Sequence, residues 1–439
     1  MKSKTGYATA LLVLTAINIV NFYDRNVVGA LVESVRKEFH LTDTQIGLLG
    51  SAFIWIYAII GVPLGRVADF LSRKKLLAGG MVLWGLLTGF AAVAVNYAML
   101  MVSRLGCGVG EAVVAPAATS WIGDLFAHSG RARALAIFML GVPVGASLSF
   151  FFSGLLAQAY GWRVAMAIAA APAVLLTPAL LMLREPKRGA SESAIAIPGE
   201  RAGMWSVLRI PTLWWIIVSG ALFNFSLYAF STFLPAFLSR IHGLSVGRAG
   251  MATGIAHLAG GVPGAMLAGA WGDWIIGKRK DGRMLSASVM ALGAVPLAYF
   301  GIVQRPGSYF LAVALLAVAY GGLTTYFGLV YSSIQEIVTP SQCASTMAIY
   351  FMFMYLGGAS MGPLLTGSLS DHFARLAARA AGSSVLTESA RATGLQHAML
   401  IIPVLSAALS LVLYVGSRTI IRDIARREQA VRAVDAVSA

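Results

Sequence analysis

The chain has 439 residues, of which 58% are hydrophobic and 12% are charged, and its mean hydropathy is +0.77. This composition excludes a soluble globular protein and predicts a polytopic membrane protein. The net charge of +15 does not indicate nucleic-acid binding, because Lys and Arg fall in short clusters between apolar segments. Cys107 and Cys343 lack metal-ligand spacing, so neither a metal site nor a disulfide framework is expected.

Twelve apolar segments of about 20 residues follow one another, which is the length that crosses a bilayer core of about 30 Å. They cover residues 8–31, 46–67, 76–95, 98–122, 134–158, 163–183, 211–238, 248–271, 285–303, 309–333, 344–368 and 394–416. The first is too long for a signal-peptide core, so we expect it to be retained as a span. The sequence predicts an all-α membrane protein with an N-terminal six-helix bundle (1–183), a linker (184–206), a C-terminal six-helix bundle (207–416) and a basic tail (417–439).

The basic residues predict the orientation of these spans. Most Lys and Arg residues fall on the side of the membrane that holds both chain ends. An excess of positive charge marks the cytoplasmic side. We therefore predict a multi-pass protein of the cell (inner) membrane with both termini in the cytoplasm, acting as a monomer among membrane lipids.

The two halves repeat one motif after their second spans. The sequence Gly61-x-x-x-Gly65-x-x-x-Asp69, followed by Arg73-Lys74-Lys75, returns as Gly261-x-x-x-Ala265-x-x-x-Gly269-x-x-x-Asp273, followed by Lys278-Arg279-Lys280. Small residues at every fourth position allow helices to approach closely, and the charged residues lie where they can pair across a gate. We predict Asp69, Arg73 and Asp273 as gating residues. A repeat in the same register of both halves predicts a parallel-repeat transporter.

Four ionisable residues lie inside the apolar segments of the first half: Asp24 and Arg25 in the first, Arg104 and Glu111 in the fourth. Arg104 and Glu111 share one helix face, because their spacing is about two helical turns. A charge at mid-bilayer costs about 2.5–3.5 kcal/mol on insertion scales, so such residues usually serve function. We predict that these four form the working site of a transporter. An inert ion pair between two helices is the alternative.

These features together resemble the major facilitator superfamily and, more narrowly, its Spinster branch. The matching residues are Asn21-Phe22-Tyr23-Asp24-Arg25, Gln45-Ile46-Gly47, Pro63-Leu64-Gly65-Arg66-Val67-Ala68-Asp69, Arg104 through Ala112, Pro116, Gly161-Trp162-Arg163, Glu185-Pro186-Lys187-Arg188-Gly189, Gly362-Pro363 and Leu369-Ser370-Asp371. Phe70 departs from the loop motif, which usually has Arg there, so the pairing around Asp69 is expected to use Arg73 instead. The resemblance implies a rocker-switch carrier with a central cavity, from a family known for lysophospholipid and sphingoid-phosphate export in animals.

Counting about 1.5 Å per residue places Asp24 level with Arg104 and puts Glu111 about 10 Å deeper. We expect Arg25 to reach Glu111 in one state of the carrier and to leave it in another. The protonation of Glu111 then depends on how near an arginine lies. We predict Glu111 and Asp24 as proton-coupling residues that titrate as a set, with Arg25 and Arg104 alternating between Glu111 and an anionic head group.

The corresponding spans of the second half are aromatic and uncharged, at residues 223–230 and 350–355. A cavity with one charged and one aromatic wall suits an amphipathic anion. The predicted substrate-binding residues are Asn21, Arg25, Arg104, Asn224, Tyr228, His257 and Tyr355. Packing in the core or against lipid is the alternative for any single ring, and a hydrogen-bonded core histidine is the alternative for His257.

We predict a proton-coupled secondary active transporter of an amphipathic anion such as a lysophospholipid or a sphingoid phosphate. A transporter of small organic anions such as sugar acids is the alternative, since it would use the same arginines without a long aromatic wall. An enzyme is not expected, because no nucleophile–base pair or metal-ligand set lies at membrane depth. The sequence shows no nucleotide-binding loop, which argues against ATP-driven transport. The paired gating motifs disfavour a channel, and no cofactor is predicted.

Overall fold

The computed structural model describes residues 4–126, 128–187, 204–338, 340–383 and 385–438. The side chain of Asp69 and most of the predicted linker lie outside the described residues. The α-helices are Lys4–Ala30, Val32–Phe39, Asp43–Phe70, Arg73–Ala92, Tyr97–Glu111, Val114–Leu125, His128–Met139, Gly141–Tyr160, Trp162–Met182, Pro211–His242, Val246–Ile276, Gly282–Ile302, Tyr309–Ile337, Pro340–Phe353, Met361–Ala380, Glu388–Met399 and Ile401–Ser438. A 3-10 helix covers Met204–Arg209, and a π-helix covers Met354–Ala359.

Within the described residues, twelve helical segments are long and apolar enough to cross a membrane. This confirms the predicted all-α membrane class and its twelve spans. The helices extend past the apolar cores, as in the second span, where Asp43–Phe70 exceeds the predicted 46–67. Because the number of crossings is even, both ends of the described chain lie on one side of the membrane. We call this the terminus side and the opposite side the far side.

Several spans start on the far side of the membrane, and a polar N-cap residue marks where each of these helices begins. The side chains of Thr42, Asn96, Ser245 and Thr387 each accept a hydrogen bond from a backbone N–H in the first turn of the second, fourth, eighth and twelfth spans. Such caps satisfy donors that have no partner within the helix. The starts of these spans are therefore specified locally.

Four spans are interrupted, and each interruption lies three residues before a proline. The helices break at Val113, Leu140, Ser360 and Leu400, ahead of Pro116, Pro143, Pro363 and Pro403. Proline cannot donate to the carbonyl four residues earlier, and its ring crowds that carbonyl. In the fourth span the break follows directly after Glu111, and in the eleventh it adjoins the π-helix. The sequence Gly141-Val142-Pro143-Val144-Gly145 predicts a bend in the fifth span, whereas the other three spans were predicted to be continuous.

The spans pack as two groups of six. The first span contacts the fifth and sixth, the third contacts the fourth and sixth, the eighth contacts the tenth, and the ninth contacts the tenth and twelfth. The two groups meet where the second span packs against the eleventh, the fifth against the eighth and the first against the seventh. This arrangement creates a central region lined by both halves.

The small residues of the eighth span that pack closely against a neighbouring helix are not the ones predicted. A Cβ atom at Gly260 or Gly264 would lie 2.2 or 2.3 Å from a backbone oxygen of the tenth span, whereas one at Gly269 would meet nothing within 4 Å. The stripe that faces the tenth span therefore begins one position earlier than Gly261. One position turns a helical side chain by about 100°, which changes the face it belongs to.

The twelfth span runs without interruption into the predicted tail, as one helix over Ile401–Ser438. Asp423 of this extension accepts hydrogen bonds from the backbone N–H and the hydroxyl of Thr212, at 3.0 and 2.6 Å. These bonds cap the start of the seventh span. The first turns beyond residue 416 are therefore packed against the C-terminal half.

Candidate functional site

The four charged residues of the first half meet in two crossed ion pairs. Glu111, which is fully buried, accepts hydrogen bonds from Arg25 Nε and from Asn21 Nδ2, both at 2.9 Å. Arg104 Nη2 lies 3.3 Å from Asp24 Oδ2. Each pair joins the first span to the fourth, so the structure brings together all four predicted residues and Asn21.

Local helix geometry explains the crossing. Asp24 and Arg25 are consecutive, so their side chains leave the first span about 100° apart. Asp24 therefore faces Arg104 and the third span, while Arg25 faces Glu111. Arg104 and Glu111 lie about two turns apart on one face of Tyr97–Glu111, so each can reach a different residue of the neighbouring helix.

The Asp24–Arg104 pair is held by the third span. Thr88 Oγ1 donates to Asp24 Oδ1 at 2.6 Å, and Arg104 Nη2 lies 3.4 Å from Thr88 Oγ1 and 3.2 Å from Cys107 Sγ. Arg104 Nε is buried and has no hydrogen-bond partner among the described residues. Sequence analysis missed Thr88. No local signal marks it, because threonine is common in apolar spans.

Three aromatic rings lie close to the Arg25 guanidinium. Its central carbon lies 4.1 Å from the ring centroid of Tyr57, 4.8 Å from that of Phe22 and 5.6 Å from that of Phe53. Tyr355 of the eleventh span packs edge-on against Tyr57 at 5.5 Å. Cations are attracted to aromatic faces, so these rings stabilise the Arg25 charge in addition to Glu111. Sequence analysis did not predict these three rings.

A cavity opens beside this cluster and is lined by both halves of the chain. Its polar lining consists of Arg25, Asn26, Arg104, Tyr228, Ser231, Thr232, His257 and Tyr320. The apolar lining includes Phe22, Phe53 and Leu227. The charged part of the wall thus comes from the first half, and the hydroxyl and ring groups come mainly from the second.

His257 combines both alternatives considered for it. It borders the cavity, yet its Nδ1 lies 2.9 Å from the carbonyl oxygen of Thr253 and its Nε2 lies 3.0 Å from Ser231 Oγ. The ring also packs against Phe150 and Tyr320, at 4.8 and 4.6 Å. His257 is therefore a hydrogen-bonded histidine packed between the two halves that also forms part of the cavity wall.

Tyr228 lies on the cavity wall and Tyr355 packs edge-on against Tyr57, whereas Asn224 is not among the residues that line this cavity. The Asn224 amide donates to the carbonyl oxygen of Gly220 in its own helix at 3.1 Å, and the side chain is buried. The short side chain thus folds back on its own helix, and the role of Asn224 in substrate binding stays a prediction.

The predicted gating residue Arg73 is anchored within the first half. It donates to Ser120 at 3.0 Å and to Glu185 at 3.2 Å, and it forms an ion pair with Asp124. Burial raises the pKa of Glu185, but hydrogen bonds from Ser72 and from the backbone and side chain of Arg73 outweigh it and leave that pKa below its usual range. The predicted pairing of Arg73 with Asp69 stays a prediction, since the Asp69 side chain is not described.

The corresponding end of the second half uses a different basic residue from the predicted cluster. Asp273 is largely exposed and lies 3.5 Å from Arg283, which also forms an ion pair with Glu336. Arg279 of the predicted cluster instead pairs with Asp281 at 2.9 Å. Arg283 opens the ninth span as Arg73 opens the third, so the repeat is kept by position in the fold rather than by spacing from the Asp.

Comparison with known proteins gives the same family throughout. The model of the Major Facilitator Superfamily matches residues 14–363. An MFS-type efflux pump of Mycolicibacterium smegmatis is 31% identical over 86% of this chain and 88% of its own length. A hexuronate transporter of Bacillus subtilis is 26% identical over 82% of this chain and 87% of its own length, and protein spinster homolog 3 of Danio rerio is 27% identical over 83% and 77%.

Among solved structures, the chain is similar to a bacterial homolog of the human lysosomal transporter Spinster. The inward-facing, unoccupied form of that protein has a TM-score of 0.86 and 26% identity, covering 96% of this chain and 99% of the other. The inward-facing, occupied form has a TM-score of 0.85 and 25% identity, with the same coverage. The charged motifs, the twelve spans and these matches agree: the chain is a multi-pass membrane transporter that belongs to the major facilitator superfamily and resembles its Spinster proteins.

Proposed function

We propose that the protein is a proton-coupled carrier of an amphipathic anion, such as a lysophospholipid or a sphingoid phosphate. It works by alternating access in the cell (inner) membrane with both termini in the cytoplasm. The halves 1–183 and 207–416 move against each other, joined by the linker 184–206, while the tail 417–439 stays cytoplasmic. The observation that carries the proposal is the pair of crossed ion pairs beside a cavity whose opposite wall is aromatic and uncharged.

The charge balance of the site supports proton coupling. Asp24, Glu111, Arg25 and Arg104 sum to zero when both carboxylates are ionised. A proton on Glu111 leaves the cluster with one net positive charge, which is costly at membrane depth unless an anion enters. Proton and anion therefore favour each other's binding.

The two arginines take different parts in this scheme. Arg25 holds Glu111 through Nε, and its guanidinium lines the cavity. Protonation of Glu111 weakens this ion pair, so Arg25 becomes the group that turns to the incoming anion. Arg104 stays with Asp24 and Thr88 and keeps the wall positive.

Hydrogen bonding supports Glu111 as the carboxyl that takes the proton. Glu111 Oε1 is buried without a hydrogen-bond partner among the described residues, so it can hold a proton without losing a bond. Asp24 and Glu111 belong to one cluster of four charges, which supports both as proton-coupling residues. Asp24 itself has Thr88 and Arg104 as partners and is the less suitable acceptor.

The opposite wall supports an amphipathic substrate. Tyr228 and Tyr320 line the cavity, and Phe230 stacks on Tyr320 at 5.4 Å. Rings bury a large apolar area at low entropic cost, so they suit an alkyl tail whose head lies at Arg25. The substrate then spans the cavity from the charged half to the aromatic half.

A small organic anion such as a sugar acid is the second candidate. Asn26, Ser231 and Thr232 line the same cavity and offer amide and hydroxyl groups that could bind a polyhydroxylated substrate. The hexuronate transporter of Bacillus subtilis is a relative of comparable similarity to the Spinster proteins.

Uptake into proteoliposomes tests both candidates. Labelled lysophospholipid, sphingoid phosphate and hexuronate are offered with and without an imposed pH gradient to native protein and to Glu111→Gln. Glu38→Gln, which alters a half-exposed ion pair with Arg163 on the far side, is the matched control. We expect gradient-driven lipid uptake by native protein and by the control, and only downhill exchange by Glu111→Gln.

Uphill transport by Glu111→Gln would exclude the proton role of Glu111. Gradient-driven uptake of hexuronate alone would replace the lipid proposal with the second candidate.

A further inference from the structure

The two halves are joined on the far side by a buried charge network. Arg240, near the end of the seventh span, donates to both carboxylate oxygens of Asp43 at 2.7 and 2.8 Å and to Glu33 at 2.7 Å. Ser370 of the eleventh span adds a hydrogen bond to Asp43 at 2.6 Å. The side chains of Arg240, Asp43 and Glu33 are only 2–6% exposed. The cation comes from one half and both carboxylates come from the other.

Asp371 of the eleventh span adds a second contact at the same place. It accepts hydrogen bonds from the backbone N–H groups of Asp43 and Thr44 at 3.1 and 2.8 Å, and from the Thr44 hydroxyl at 2.5 Å. These N–H groups belong to the first turn of the second span, where they lack intrahelical partners and carry partial positive charge. The C-terminal half thus supplies the carboxylate that caps a helix of the N-terminal half.

An uncharged helix cap joins the halves where the fifth span packs against the eighth. Gln158 of the fifth span accepts a hydrogen bond from the backbone N–H of Gly247 at 3.0 Å, at the start of the eighth span. Here the N-terminal half caps a helix of the C-terminal half. The two backbones also touch, since a Cβ at Gly250 would lie 2.5 Å from the carbonyl oxygen of Phe150.

We propose that the far-side gate consists of two helix caps that each half supplies to the other, and that only the Arg240–Asp43–Asp371 side acts as a charge lock. Without Arg240, the carboxylates of Asp43 and Glu33 stay buried in the closed gate, and the remaining cation, Arg36, already pairs with Glu33 and Glu388. Separation of the halves would hydrate both carboxylates, so the far-side-open state is stabilised relative to the closed state. Loss of Gln158 removes one neutral hydrogen bond and leaves the backbone packing in place.

Distance measurements by double electron–electron resonance test this gate in nanodiscs without substrate. Spin labels are placed at Val95 and Ser308, two exposed far-side positions in different halves, after Cys107 and Cys343 are replaced by serine. We expect Arg240→Gln to raise the ratio of long to short distances by roughly a hundredfold or more, because it removes one partner of a buried ion pair. Gln158→Ala should raise it about tenfold or less.

Three further variants complete the test. Asp43→Asn added to Arg240→Gln removes the uncompensated charge and should return the distances toward the native short set. Asp371→Asn should raise the long-distance fraction less than Arg240→Gln, and it is measured as well in case Arg240→Gln does not fold. Arg163→Gln, which removes a half-exposed far-side arginine, should change nothing.

An unchanged distance distribution in both Arg240→Gln and Asp371→Asn, or equal shifts in Arg240→Gln and Gln158→Ala, would overturn the charge lock. The readout needs no substrate or proton gradient, so it is independent of the proposed transport activity.

Discussion

The N-terminal wall of the cavity carries two arginines and, behind them, two carboxylates, whereas the C-terminal wall carries Tyr228, Ser231, Thr232, His257 and Tyr320. Both walls come from bundles of six helices with the same packing, so the fold itself does not require this difference. The buried charges are concentrated on one side of the cavity, and hydroxyl and ring groups are concentrated on the other. The comparison suggests that coupling and substrate selection reside in different halves.

The largest effect is expected from the charged wall. Arg25→Gln leaves the buried Glu111 carboxylate with its hydrogen bond from Asn21 but without its ion-pair partner, and removal of one member of a buried ion pair costs about 3–5 kcal/mol. We expect gradient-driven uptake to fall at least about a hundredfold on this scale. The control Arg163→Gln removes a half-exposed arginine and should stay within about twofold of native protein. Comparable losses of uptake in the two variants would contradict a specific role of Arg25 in transport.

A smaller effect is expected one layer behind this wall. Thr88→Val removes the hydroxyl that donates to Asp24 at 2.6 Å while preserving side-chain shape. Hydrogen bonds to charged groups contribute about 1.5–3 kcal/mol, so initial uptake at limiting substrate should fall roughly tenfold or more. Thr15→Val is the matched control, since the buried Thr15 hydroxyl has no hydrogen-bond partner among the described residues. Equal losses in both valine variants would show that the threonine at 88 serves packing alone.

The aromatic wall should respond according to substrate. Tyr228→Leu removes a ring from the cavity lining, and aromatic contacts contribute about 0.5–1.5 kcal/mol beyond their area. We expect the half-saturating concentration of a lysophospholipid to rise about threefold to tenfold, with little change for Tyr228→Phe. Proton coupling, measured as the ratio of uptake with and without a pH gradient, should be unchanged in both. Loss of the pH-gradient effect in Tyr228→Leu would contradict the assignment of proton coupling to the N-terminal wall alone.

The smallest effect lies outside the cavity and provides a reference for it. The pKa of Glu185 is below its ordinary value, so its contribution to stability is present above the unfolded-state pKa and is lost as the pH falls through the folded-state pKa. Glu185→Gln should therefore lower the melting temperature in detergent at pH 7 by a few degrees and should lower it less at pH 4. A pH-independent decrease would show that the loss comes from packing rather than from the carboxylate.

Some of this site could be predicted from the sequence because intramembrane charges are rare and therefore informative. Asp24, Arg25, Arg104 and Glu111 stand out singly, and helix spacing places them at matching depths. Thr88 and Tyr57 do not stand out, since threonine and tyrosine are unremarkable in apolar spans and their roles follow from contacts between helices. The sequence placed Asn224 and Tyr228 in the same aromatic stretch, but it did not show that the Asn224 amide bonds its own helix.

The fold shows the same limit. The twelve spans follow from hydropathy, and three of the four helix breaks went unpredicted although each lies three residues before a proline. The rule was available, but Pro172, Pro178, Pro235 and Pro296 stand inside unbroken helices, so packing decides which prolines interrupt a span. The far-side lock joins residues almost 200 or more positions apart, such as Asp43 and Arg240, and no local pattern connects them.

The most direct test of the central claim measures proton movement and anion movement in the same proteoliposomes. A trapped pH-sensitive dye reports the proton flux that follows addition of a transported anion, and a label reports the anion. Native protein should move protons only when the anion is present, and Glu111→Gln should exchange the anion with no accompanying proton flux. An undiminished anion-dependent proton flux through Glu111→Gln would contradict the account.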